Sequence, residues 1–596
     1  GGAEQSYFLH VLQGREDGQP NLDAQVSDTG EEYEVTLWHP TLGAARLVFR
    51  KGAETSGGGI AFSSAEMPAA TEPFLDRVQR FEMSDEGPRW EGGQAVEPES
   101  AAAVAESPAA SSASVALTVH GYAAGNGPAD LASNAVPFKP GVLTDVRNLR
   151  LLDGGNEIPI AAKVLALWPA DRSIRSVLLQ FAAASDAYTL EIGTPRATPD
   201  LPLTAVTWDL PKRVFTLPPS YLCDSLIFWE QKPLGSTGFP DWDRKQVDFY
   251  RRIENPGTAA CVRDDQYYDA ISTTYQLYAR TGELKYLVNA RRWALHHRRD
   301  QIWLEGANAG RPRCSGAYLN NTRYTFPQGL VSDWLMFGDE EARRVSGLVV
   351  DNFYMRHADS WYYKAPNARG MWTEREAAFA LIGILAQYEA TGNDVYLNKV
   401  RDRVASLRRM QVENGRRAWV HNLYDHDPSE GCAQGDYGSS PWMSGLLLEA
   451  IVKYHKLTGD PAARESILMA VDDLMARYLA TANYAGKSFI YLGCSAYGDG
   501  APDLDNLISH AYAYAYKLTG KSDYLRVGGD LFQTSVRSGA TSTHKHYDQQ
   551  FRSSGLFVGY LGAPAAATPA SVRGSAGDGP HAPPRRATTP GSATPR

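Results

Sequence analysis

The densest group of side chains able to move protons or bind anions lies in WVHNLYDHDPSEGCAQGDYGSSPW (419–442). It holds His421, Asn422, Tyr424, Asp425, His426, Asp436, Tyr437 and Trp442 within about 22 residues. Imidazole and phenol groups can take or give a proton, and an amide can neutralise a carboxylate. The acids could equally form a carboxylate pair or hold a metal, and the stretch also fits a solvated loop with scattered polar groups.

Three further stretches carry related chemistry. RPRCSGAYLNNTRYTFPQ (311–328) offers Asn320, Asn321, Arg323 and Tyr324, and arginine suits bidentate binding of a carboxylate. Asn320-Asn321 also suits a turn. WYYKAPNARGMWTERE (361–376) supplies Trp361, Trp372 and Arg375. Thr373 followed by Glu376 matches an N-terminal capping box, which favours a capping role for Glu376. THKHYDQQFR (543–552) is read as a basic loop with His544, Lys545, His546, Tyr547 and Arg552. Asp264 and Asp265 in RDDQYYD form an acidic pair that either caps a helix or serves as a catalytic carboxylate. His510, inside the helical run ISHAYAYAY, is expected in the core.

The elements that must position these groups follow from an internal repeat. YARTGELKYL, YEATGNDVYL, YHKLTGDPAA and YKLTGKSDYL share one shape, and WLMFGDEEAR is a fifth copy with Phe-Gly in place of Thr-Gly. Their glycines, 282, 338, 392, 459 and 520, are spaced by 56, 54, 67 and 61 residues. Glycine at this place ends one helix in the left-handed conformation while the next begins at once. A regular helix-hairpin period marks a solenoid or a closed ring. The tight turns then lie at one rim. The long connections, 300–323, 357–373, 415–440, 481–502 and 538–548, lie at the other. Long loops need a reason, and function is a common one. Helices are expected to begin near Asp264, Tyr324, Glu374, Trp442, Asp503 and Gln549, so their N-termini would favour an anionic ligand at that opening.

Upstream, YFLHVLQ (7–13), YEVTLWH (33–39) and ARLVFRKG (45–52) have strand composition. A run rich in Ala, Ser and Pro follows and is expected to be a linker. VALTVHGY, LTDVRNLRLLD, EIPIAAKVLALW and SIRSVLLQFAA read as a second set of strands. The fold class is thus multidomain α+β: a β-sheet module over 1–94, a linker over 95–114, a β domain over 115–240, a helical ring over 241–562 and a disordered tail over 563–596.

Composition limits the function. A net charge of −9 disfavours a general nucleic-acid binder, and no apolar run reaches the length of a membrane span. The five cysteines have no zinc-site spacing. The 31 tyrosines and 13 tryptophans suit stacking on sugar rings, and suit a large core equally. Gly1-Gly2-Ala3-Glu4 contains neither Met nor a signal peptide, so the chain is read as a mature form or a fragment.

VPFKPGVLTDVRNLRLLDGGNEIPIAAKVLALWPADRSIRSVLLQF (136–181) resembles the N-terminal RIFT barrel of exo-rhamnogalacturonan-lyase-like proteins. The match lies in Pro137-Phe138 with Gly141, Asp153-Gly154, and Trp168-Pro169-x-Asp171-x-Ser173-Ile174-Arg175. The resemblance implies an (α/α)6-type toroid after the barrel. YFLHVLQ with VTLWHP and LVFRKG is similar to the C-terminal β domain of heparinase II/III-type lyases, which implies a β-sandwich fragment and a catalytic domain upstream of Gly1.

Both resemblances imply an extracytoplasmic polysaccharide lyase acting on an acidic polysaccharide or oligosaccharide by β-elimination. The catalytic candidates are His421, Asn422, Tyr424, Tyr437, Arg323, Tyr324 and His546. The substrate-binding candidates are Asn320, Trp361, Trp372, Arg375, Trp442, Lys545 and Tyr547. A glycoside hydrolase using an acid pair such as Asp265 with Asp425 or Asp436 is the first alternative. A non-catalytic glycan-binding protein or incomplete fragment is the second. No metal is predicted and no cofactor is required by the sequence; calcium stays open.

Overall fold

The computed structural model describes residues 23–28, 32–39, 43–50, 58–64, 67–74, 80–84, 87–91, 113–253, 266–314, 317–318, 320–356, 373–413, 415–426 and 428–561. The chain divides into two units, 1–109 and 110–596. In the first, strands β1 (Asp23–Asp28), β2 (Glu32–His39), β3 (Gly43–Arg50), β4 (Gly58–Ser64) and β5 (Met67–Phe74) form an antiparallel sheet in chain order. Strands β6 (Arg80–Ser84) and β7 (Gly87–Glu91) pair separately. The strand expected at 7–13 lies outside the described residues.

The second unit opens with β8 (Ala113–Gly121), β9 (Leu131–Pro137), β10 (Leu149–Asp153), β11 (Asn156–Ile158), β12 (Ala161–Leu167), β13 (Ile174–Ala182), β14 (Ala187–Ile192) and β15 (Arg213–Thr216). They form one sheet in the order β11-β10-β14-β8-β15-β9-β13-β12. Asp153-Gly154-Gly155 turns β10 into β11, with both glycines at positive φ. β13 is buried on both faces, because strands flank it and helices cover it.

The Trp168–Arg175 segment then has a structural use. Asp171 Oδ1 accepts from the Ser173 backbone N–H and hydroxyl, and Ser173 Oγ accepts from the Gly141 N–H. Arg175 lies 4.8 Å over the Trp168 ring and pairs with Glu389 of the helical region at 3.5 Å. The motif therefore joins the sheet to a helix end.

After α1 (Pro219–Asp224) and α2 (Pro240–Tyr250) come five helix hairpins: α3 (Ala270–Thr281) with α4 (Leu284–Asp300), α5 (Pro327–Phe337) with α6 (Glu340–Val349), α7 (Glu374–Thr391) with α8 (Asp394–Glu413), α9 (Pro441–Thr458) with α10 (Pro461–Arg477), and α11 (Ser509–Thr519) with α12 (Ser522–Ser538). The helical part ends in α13 (His544–Phe551) and α14 (Ser554–Tyr560). The first members pack in succession, α3 on α5, α5 on α7, α7 on α9 and α9 on α11. α11 packs on α14, and α13 returns to α3, which closes the ring. Burial separates the layers: α7 buries every residue except Thr391, whereas α8 and α12 bury one face.

Each hairpin turn is made by a repeat glycine. Gly282, Gly338, Gly392, Gly459 and Gly520 all hold φ between 66° and 72°, and each N–H bonds the carbonyl four residues earlier. The preceding threonine stitches the turn. Thr281, Thr391, Thr458 and Thr519 each donate to the carbonyl four residues back, at 2.8 Å. Each also accepts from the N–H two residues ahead, at 3.2–3.3 Å. Phe337 has no hydroxyl to do this.

The β domain sits against this turn rim. A side chain on Gly338 would meet Leu178, and one on Gly282 would meet the Leu217 carbonyl and Pro219. Glu230 lies against Gly559, and Gln231 against Gly555. The helix N-termini of the inner layer and the long connections lie at the opposite rim. The last of these connections is shorter than expected, because α13 already begins at His544.

Candidate functional site

At the rim of inner-helix N-termini, one arginine is surrounded by aromatic rings. Arg375 lies in the first turn of α7, after the cap at Thr373, whose Oγ1 accepts from the Glu376 N–H at 3.4 Å. Its guanidinium carbon is 5.0 Å from the Trp442 ring centroid and 5.7 Å from that of Tyr267. The Tyr268 phenol lies beside it as well. The side chain is 5% exposed, its Nε finds no acceptor, and no carboxylate pairs with it among the described residues. Burial opposes its charge, while the neighbouring phenols Tyr267 and Tyr268 favour it. A guanidinium buried without a counter-ion is costly, and rings alone recover only part of that cost.

The rings come from four places. Trp442 is in the first turn of α9 and stacks on Tyr491 at 5.9 Å, with 25° between the planes. Tyr267 and Tyr268 precede α3 and meet edge to face at 4.3 Å. Tyr324 tilts against Tyr267 at 5.7 Å. Two more cations border the group: Arg323 lies 5.0 Å over Tyr324, and Lys545 Nζ 5.8 Å from the Tyr267 centroid. Both are half-buried.

Two loops are tied together beside this group. Cys432 and Cys494 form a disulfide, with a Cα–Cα distance of 5.9 Å. Across it, the Tyr491 hydroxyl donates to Glu430 Oε1 at 2.9 Å, and the Tyr497 hydroxyl donates to the Glu430 carbonyl at 2.7 Å. Tyr491 is thereby held against Trp442.

Beneath the rings runs a buried polar network. Asp269 caps α3, accepting from the Ser272 N–H and hydroxyl. Arg552 reaches Asp269 at 3.7 Å and Glu449 at 3.1 Å, and Lys453 pairs with Glu449 at 2.6 Å. Burial opposes the charge on Glu449, but Arg552 and Lys453 hold its carboxyl well below the usual range. Burial keeps the nearby Asp548 carboxyl well above it.

The structure distributes the remaining sequence candidates as follows. His421 is buried and pairs with Glu374, the first residue of α7, at 2.9 Å. Glu374 also accepts from the Ser440 N–H at 3.3 Å. His421 thus joins the 415–440 connection to two inner helices. Asn422 pairs in a short strand with Tyr437; both are half-buried, as is Tyr424. Asn320 is exposed and accepts from Arg311, while Asn321 caps the turn that carries Arg323.

The 543–552 stretch is a helix rather than a loop, because Thr543 caps it by accepting from the His546 N–H. The imidazole of His546 lies against the Ser542 and Thr543 hydroxyls. Tyr547 does not join the rings. Helical spacing puts it beside Phe551, and it packs on Phe249 and Tyr250 with 1% exposure. His510 is in the core, as its helix suggests. Trp361, Trp372, Asp264 and Asp265 lie outside the described residues, as does the side chain of Asp425.

Tyr267, Tyr268 and Tyr491 are not among the residues that the sequence analysis singles out for the site. The phrase RDDQYYD holds two of them, but its acids were the more conspicuous feature. A signal was present in the paired tyrosines directly before the first amphipathic run.

No protein-family model matches the chain, and no curated protein matches it. Among solved structures, a polysaccharide lyase is similar at 13% identity and a TM-score of 0.40, over 55% of this chain and 98% of its own. The GH76A alpha-1,6-mannanase from Salegentibacter sp. HEL1_6 is similar at 10% identity and a TM-score of 0.36, over 54% and 98%. An inactive variant of that mannanase in complex with alpha-1,6-mannotriose is similar at 11% identity and a TM-score of 0.36, over 54% of this chain and 98% of its own. Among the described residues, no helix is long and apolar enough to cross a membrane.

Proposed function

We propose that the protein is a carbohydrate-active enzyme that cleaves a uronate-containing polysaccharide by β-elimination, on an (α/α)6-type toroid preceded by a RIFT-type barrel. The observation that carries this reading is the buried Arg375, which has aromatic neighbours and no carboxylate partner among the described residues. A substrate carboxylate on Arg375 would supply the missing counter-ion. It would also make the adjacent C–H more acidic, because the charge that develops on the carboxylate is stabilised. Trp442 and Tyr491 offer apolar ring faces for sugar stacking. The Cys432–Cys494 disulfide supports an oxidising, extracytoplasmic location.

The test is to incubate the protein with alginate, pectic fragments, heparan, hyaluronan and glucuronan, following ultraviolet absorbance and reducing ends together. Elimination creates an unsaturated, absorbing product from one of them. New reducing ends without absorbance would instead establish hydrolysis. Neither signal, with retention on a glycan gel, would establish a binder.

A further inference from the structure

Resting on that reading of the cleft, we infer that Glu430 is a positioning residue, which fixes Tyr491 and Tyr497 as a two-ring sugar subsite beside Arg375 and Trp442. The spacing along the chain comes first. Glu430 stands two residues before Cys432, and the two tyrosines stand three residues either side of Cys494. The Cys432–Cys494 disulfide therefore brings Glu430 to both phenols. The Tyr491 hydroxyl donates to Glu430 Oε1 at 2.9 Å, and the Tyr497 hydroxyl donates to the Glu430 carbonyl at 2.7 Å.

The loop backbones are already joined without the Glu430 side chain. Besides the disulfide, the Gly493 N–H donates to the Ser439 carbonyl at 3.0 Å, and the Ser440 hydroxyl donates to the Tyr491 carbonyl at 3.2 Å. A side chain on Gly438 would meet the Gly493 carbonyl, so the two backbones lie close. These contacts fix where the Tyr491 backbone lies. They do not fix the far end of its side chain, which the bond to Glu430 holds. The ring then lies against Trp442, with 25° between the planes, and Tyr497 tilts against it at 5.5 Å. Burial, with the Glu430 carboxylate beside it, keeps the Tyr491 phenol above its ordinary range, so it remains a donor.

Exposure completes the case. Trp442 is buried, whereas Tyr491, Tyr497 and Glu430 are half-buried. The two tyrosines are therefore the outer rings of this group, open to stacking by a sugar. A ring held in its binding orientation before the ligand arrives saves the cost of ordering it. Glu430 acts through Tyr491, so ground state and transition state gain alike, and the benefit falls on affinity.

The test uses the full chain and a hexuronate oligosaccharide cut from whichever polysaccharide the unaltered protein cleaves. Glu430→Ala removes the acceptor for Tyr491 and keeps the carbonyl that Tyr497 uses. It should raise KM about tenfold with kcat within about twofold. Glu430→Gln retains a side-chain oxygen that accepts from the phenol, so its KM should stay within about threefold of the unaltered protein. Tyr491→Phe should match Glu430→Ala, and the double variant should be no worse than either. A clamp with a structural role alone would lower the melting temperature and leave KM in place. That result, or a fall in kcat at unchanged KM, or a loss that glutamine does not restore, would overturn the role of Glu430 while the reading of the cleft stands. If the unaltered protein makes no unsaturated product from any uronate, both are wrong.

Discussion

The guanidinium of Arg375 lies 5.0 Å from the centre of the Trp442 ring, and the two residues begin different inner helices. The contact brings the starts of α7 and α9 together at one place, and Tyr491 reaches the same place from a third segment through Trp442. An arginine so placed binds an anion better than a lysine would, because its fork can meet a planar carboxylate. Arg375→Lys should therefore weaken binding of an acidic oligosaccharide about tenfold or more while changing the melting temperature little. Calorimetry on both proteins checks this.

The ring should depend on the Thr-Gly turn, and Gly459 gives a clean test. A Cβ at Gly459 meets nothing within 4 Å, so Gly459→Ala adds only the left-handed backbone strain. The expected loss is about 1 kcal/mol in denaturant unfolding. Thr458→Val, which deletes both stitching bonds, should cost about 1–2 kcal/mol.

Arg291 on α4 is fully buried between Asp333 and Asp339, and Tyr275 also donates to Asp333. These residues tie α4 to α5 and to the start of α6. Arg291→Met leaves two buried carboxylates without their shared partner and should cost about 3–5 kcal/mol. Urea unfolding measures it.

Acid should destabilise the protein through two buried histidines. Burial lowers His510 and His297 to about 4, and each is hydrogen-bonded in the core. As pH falls through 6.5, the unfolded chain takes up these protons and the folded chain does not. Their contribution is full above pH 6.5 and is lost progressively down to about pH 4. Asp505 and Asp548, which burial pushes well up, act in the opposite direction. The diagnostic is therefore a difference between proteins: His510→Gln should show a shallower stability loss between pH 7 and 5 than the unaltered chain.

The parts of the architecture that were legible in the sequence are those with local causes. Thr458-Gly459 reveals a turn because threonine bonds and glycine φ act within six residues. Thr373 with Glu376 marks a helix start for the same reason. The site was legible only in part. Arg375 and Trp442 were visible as rim residues, but the pairing of Tyr491 with Trp442 depends on a disulfide between residues 62 apart, which no periodicity records. Tyr268 was hidden by its left-handed backbone, which puts it outside any helical pattern. Tyr547 misled because a basic, polar sequence concealed the helix that turns its ring into the core.

The most direct test of the central claim is to compare, on the unaltered protein, binding of a hexuronate oligosaccharide and of the same oligosaccharide with its carboxyl groups reduced to alcohols. If Arg375 is the anion-binding centre of the cleft, reduction should weaken binding about a hundredfold or more, which corresponds to about 2.7 kcal/mol. Equal affinity for the two would mean that no buried cation reads the carboxylate, and would contradict the account.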